Sequence, residues 1–106
     1  MKLFITRRSS GVKATAEYNP TSKRFVVLKG SVVSKVISTA PSFRGEKTVR
    51  ILRDKYVVDR VVKEDVHFES SSTAANFVTG VSTDGPRTWK NEDGITLRDI
   101  LCQAKG

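Results

Sequence analysis

Residues 70–80 read SSSTAANFVTG and begin three positions after His67, the chain's one histidine. With Asp65 and His67 upstream, the serines supply the residue types of a hydrolase site; the same letters also spell the start and stop of a helix. A serine nucleophile needs a base within hydrogen-bond reach and a third group to orient that base. Asp65 and His67 share at best one face of an extended segment, and the strained Gly-x-Ser-x-Gly turn that exposes a nucleophile is absent. The helix reading needs nothing further. Ser72 is placed to accept a hydrogen bond from a free amide of the first turn, and Gly80 to end the helix in the left-handed conformation. The segment is therefore read as a two-turn helix, and no catalytic residue is assigned.

Toward the N-terminus the pattern changes period. KLFITR (2–7) reads as a strand, RSSG as a turn, and VKATAEY (12–18) alternates, with Val12, Ala14, Ala16 and Tyr18 on one face and Lys13, Thr15 and Glu17 on the other. NPTS turns the chain again with Pro20 fixing the backbone. The apolar run Phe25 to Leu28 suits a strand covered on both faces, and Gly30 marks a bulge or bend. Residues 1–35 are thus expected to form an antiparallel meander.

STAPSFRG (38–45) is the longest loop. EKTVRILRDKYVVD (46–59) reads as a helix, with Val49, Leu52 and Tyr56 as its apolar stripe and Lys47, Arg50, Ile51 and Asp54 opposite. RVVKEDVHFES (60–70) holds one more strand or two short ones. Beyond Gly80 the sequence reads as turn, short strand around Trp89, and turn. A last helix follows, with Thr96 as cap, Asp99 three positions on, and Leu97, Ile100, Leu101 and Ala104 on one apolar face. The expected architecture over residues 1–106 is one α+β domain: a meander at 1–35, a helix and C-terminal motif region at 42–106, and a mostly antiparallel sheet with about three short helices.

Charge is the strongest functional signal. The chain carries +8 overall, and residues 1–63 hold fifteen Lys/Arg against four Asp/Glu, whereas residues 64–106 hold four against seven. A basic domain attracts polyanions, of which nucleic acid is the commonest, although positive charge also serves solubility. Arg44, Lys47, Arg50 and Arg53 lie in and around the N-terminal half of the first helix, either as a solvated face or as a phosphate-binding one. Arg87, Trp89 and Lys90 form a second basic cluster, in which Trp89 is read as core. GEKT (45–48) lacks the glycines of a phosphate loop, and no Asp/Glu-x-Lys of the kind that metal-dependent nucleases use occurs. Cys102 is the only cysteine, so no internal disulfide and no thiol zinc site is expected. The apolar run in MKLFITRR is too short for a signal peptide or a membrane span, which makes the cytoplasm the expected location. No metal, cofactor, small-molecule substrate or membrane contact is expected.

FVVLKGS (25–31), SFRGEKTVRILRD (42–54), FESSSTAANFVTGVSTDG (68–85) and WKNEDGITL (89–97) together resemble a small bacterial and archaeal domain found at the C-terminus of GIY-YIG-type nucleases. They are also similar to the wider group of restriction enzyme and adenine methylase associated domains. The resemblance implies a non-catalytic accessory module that helps a restriction, modification or repair enzyme engage DNA, with that enzyme as partner in cis or in trans. With no nuclease or methylase sequence attached, the chain is expected to be an excised domain or a stand-alone protein. It departs from the pattern at Ser71 (commonly Pro), at Pro86 (commonly aromatic) and at Arg60 (commonly a turn glycine). Lys29, Lys35, Arg44, Lys47, Arg50, Arg87 and Lys90 are the expected phosphate contacts; Ser72, Gly80, Trp89 and Gly94 are assigned to the scaffold. A protein-docking module using Ile51 and Val58, and RNA binding, are the alternatives.

Overall fold

A computed structural model describes residues 1–104, with side chains through Gln103, so Ala104's expected place in the last helix's apolar stripe lies outside the described residues. Strands β1 (Lys2–Arg7), β2 (Val12–Asn19) and β3 (Arg24–Val27) form the meander, and β6 (Val66–Phe68) pairs antiparallel with β3 to complete a sheet of order β1-β2-β3-β6. The alternation in β2 holds: Val12, Ala14 and Ala16 are buried, Tyr18 is half-buried, and Lys13 and Glu17 face solvent. Register places Leu3 beside Ala16, Ile5 beside Ala14 and Phe25 beside Phe68, so a single apolar face runs across the sheet. That corrects the expectation for Phe25 to Leu28. Phe25 and Val27 are buried but Val26 and Leu28 only half so, because the core lies on one side of the sheet.

Gly30 marks the expected bulge. Leu28 N–H donates to Thr15 O at 2.9 Å, the chain swings out through Lys29 and Gly30 (φ +92°), and Val32 rejoins β2 by two bonds with Lys13, at 2.8 and 2.9 Å. Ser31 Oγ fills the gap, accepting from Thr15 N–H at 3.0 Å and donating to Thr15 O at 3.2 Å.

Helix α1 (Glu46–Tyr56) turns Val49 into the core, with Leu52 and Tyr56 packed against it. It ends three residues short of the expected Asp59. Val57 and Val58 leave it as β4 (Val57–Val58), which pairs with β5 (Val61–Val62) around a two-residue turn at Asp59 (φ +50°) and Arg60 (φ +68°). Such tight hairpin turns require positive φ at both central residues. The guanidinium of Arg60 offsets the strain by donating to Val33 O at 3.3 Å and Gly11 O at 3.1 Å.

Helix α2 (Ser71–Thr79) is capped two residues earlier than expected: Ser70 Oγ, not that of Ser72, accepts from the amides of Ser72 (3.2 Å) and Thr73 (3.4 Å). Ser72 lies inside the helix, where its hydroxyl accepts from Gly85 N–H at 3.1 Å. Gly80 terminates α2 in the left-handed region (φ +73°), where a side chain would strike Val36 O. The expected strand around Trp89 is instead one helical turn, α3 (Gly85–Thr88), capped by Asp84 and started with Pro86. Only Lys90 pairs in strand fashion, with Phe4 on one side and Thr96 on the other. Trp89 is fully buried against Phe25, and its Nε1–H donates to Ser71 O at 3.0 Å. Helix α4 (Leu97–Ala104) begins as expected, with Asp99 N–H donating to Thr96 Oγ1 at 3.2 Å. Four helices and four main-sheet strands among the described residues make this a single α+β domain.

Candidate nucleic-acid interface

Arg53 points inward, away from any α1 cluster. Its guanidinium donates to Phe77 O (2.9 Å), Ser34 O (3.0 Å), Ser34 Oγ (2.8 Å) and Val78 O (3.4 Å). Phe77 and Val78 lie in the last turn of α2, where carbonyls lack helical partners and the helix dipole is negative. Arg53 is therefore a cap for α2 and a staple for the irregular segment at Ser34. Burial, then the nearby cations Arg50 and Arg60, lower its pKa to about 10, which leaves it charged at neutral pH. No sequence spacing announces this role, since its partners lie 19 to 25 residues away.

The seven expected phosphate contacts are all exposed, but they do not share one site. Arg44 and Lys47 line a shallow hollow of about 440 Å³ with Thr39, Pro41, Phe43 and Glu46. Arg50, one turn on, is paired with Glu46 at 2.9 Å. Lys29 stands on the β3 bulge, where its backbone N–H donates to Asp65 Oδ1 at 2.9 Å. Lys35 stands beside the β1–β2 turn, its backbone N–H donating to Ser10 O at 3.2 Å. Arg87 and Lys90 do converge, and with them a residue that the sequence reading missed: Arg7, at the end of β1, lines the same cleft of about 300 Å³. Arg87 also lies 3.5 Å from Asp84, with both side chains largely exposed.

Another hollow, about 670 Å³, opens between the β2–β3 turn and β6, lined by Ser22, Lys23, Arg24, His67, Phe68 and Glu69. It holds none of the seven. His67 borders it, whereas the hydroxyls of Ser70 and Ser72 are engaged by the amides already described. The scaffold assignments of Ser72, Gly80 and Trp89 each have a bond or a backbone angle behind them, and Gly94 has φ +79° in the turn before α4. No helix among the described residues is long and apolar enough to cross a membrane.

Fold and surface together define a small α+β domain whose cations, among the described residues, mostly lack carboxylate partners. A family profile described as a domain of unknown function, DUF4357, matches residues 4–101, and the chain belongs to that family. No curated protein and no solved structure matches the chain.

Proposed function

We propose that the domain binds DNA through its backbone phosphates and serves, without catalysis of its own, as an accessory to a restriction, modification or repair enzyme. One observation carries the DNA-binding part. Among the described residues only two Lys/Arg side chains, Arg50 and Arg87, have a carboxylate within salt-bridge distance, although the chain has nineteen such side chains. Cations left unpaired at a surface are available to phosphates, and releasing the counterions that phosphates hold supplies the driving force. The accessory role rests on the resemblance of residues 25–97 to nuclease-associated domains. Replacing Arg44, Lys47 and Arg50 together by Ala tests the α1 contribution: affinity for a DNA duplex falls about tenfold per lost contact near 100 mM salt, with the thermal transition retained. Unchanged affinity would remove α1 from the site.

A protein-docking role is the second reading, favoured by Ile51 and Val58, which are 66% and 54% exposed. Isolated exposed apolar side chains are ordinary on soluble proteins. A size-exclusion shift with a nuclease partner, without binding to bare DNA, would support docking.

A further inference from the structure

The cleft at Arg7, Arg87 and Lys90 has a backbone floor that side-chain charge alone does not reveal. Phe4 exchanges both of its backbone bonds with Lys90, N–H to O at 2.7 Å and O from N–H at 3.1 Å, so its polar groups point away from β2. On the other side, Lys13 directs its own polar groups away from β1, toward Val32. Polar groups alternate in direction along a strand. Thr6, two residues after Phe4 and opposite Lys13, therefore also points its N–H outward from the sheet edge. The strand-like pairing at Lys90 would continue to Thr6 through residue 88, but Thr88 is coiled into α3. What remains is a gap of about 300 Å³ lined by Thr6, Arg7, Arg87, Thr88 and Lys90. The Thr6 amide has no acceptor there among the described residues. A strand from another protein does not fit, because Phe4 is already paired and β1 ends at Arg7.

We propose that this gap is a phosphate site, in which one phosphodiester accepts from the Thr6 amide and from Arg7, Arg87 and Lys90. For the source of the phosphate, nucleic-acid backbone, the inference rests on the DNA-binding reading. Among the described residues no carboxylate lies within salt-bridge distance of Arg7 or Lys90, which bring two charges, and Arg87 adds a third shared with Asp84. They outweigh the partial charge of the Thr6 carbonyl, which points the same way. Cations and a backbone amide converging on one oxygen-rich anion are the usual makings of such a site.

The test is anisotropy of a labelled DNA duplex against wild type, R7A, K90A and R98A. Arg98 is exposed on α4 and outside the cleft, so R98A removes the same charge elsewhere. R7A and K90A each weaken binding about tenfold near 100 mM salt and lower the slope of log affinity against log salt by about one. R98A changes affinity less than about twofold, a shift set by net charge alone. R7A and K90A indistinguishable from R98A would overturn the cleft while leaving DNA binding intact. R7Q, which retains the length of the side chain, replaces R7A if the latter unfolds. If wild type binds no DNA, the function proposed above fails separately, and amide NMR with inorganic phosphate decides the cleft. A Thr6 shift that R7A abolishes upholds an anion site, and no Thr6 shift overturns it.

Discussion

Arg53 offers the sharpest test of how the fold is held. Replacing it by Ala removes four hydrogen bonds and strands the carbonyls of Ser34 and Phe77, two residues that are 2% and 0% exposed. A buried acceptor that loses its donor costs about 1–3 kcal/mol. Ser34 Oγ keeps a partner, since it also donates to Val36 O at 2.9 Å, and Val78 O was at the limit of bonding. Two stranded carbonyls at about 1.5 kcal/mol each give a loss of about 3 kcal/mol. For a domain of this size that lowers the melting temperature by roughly 12–24 °C. Urea denaturation of wild type and R53A measures it. R53K recovers about half, since one ammonium cannot span the acceptors that a guanidinium fork reaches. The comparison is R50A, which breaks only the exposed pair with Glu46 and costs about 0.5 kcal/mol or less. A loss below about 0.5 kcal/mol in R53A, as small as that of a surface pair, would refute the staple. Arg53 would then return to the list of surface cations.

Four further substitutions separate roles that the sequence ran together. S70A loses the α2 cap and about 1 kcal/mol, while S72A leaves the buried Gly85 amide without an acceptor and loses about 2 kcal/mol; equal small losses by urea titration would contradict the assignment. G80A destabilises by about 2 kcal/mol or more, from the left-handed backbone and from contact of the new methyl group with Val36 O. W89F preserves most of the aromatic packing on Phe25 but forfeits the bond to Ser71 O, which lowers stability by about 1–2 kcal/mol in thermal denaturation.

The sequence is most legible where one short period governs burial. Val12 to Tyr18 announce their strand because one face meets the core and the other water, and Thr96 announces α4 because the amide that donates to its hydroxyl lies three residues away. It is less legible where distant contacts choose between equivalent letters. Ser70 and Ser72 are equally good caps on paper; the Gly85 amide, 13 residues on, claims Ser72. Helix α3 is too short to show a period, although Asp84 as cap and Pro86 in the first turn were signals. Asp59 and Arg60 ended α1 early by a hairpin whose positive φ no glycine advertised. For the surface, charge was legible but convergence was not. Arg7 reaches Arg87 and Lys90 only because Phe4 bonds to Lys90 across the edge of the sheet.

The central claim is that this surface holds nucleic acid through phosphates, and salt dependence tests it most directly. Anisotropy of a short labelled duplex at about 50 and about 200 mM salt should show saturable binding that weakens about 500-fold, the drop expected for about five phosphate contacts. An absence of binding at the lower salt, or an affinity that salt leaves unchanged, would contradict the account.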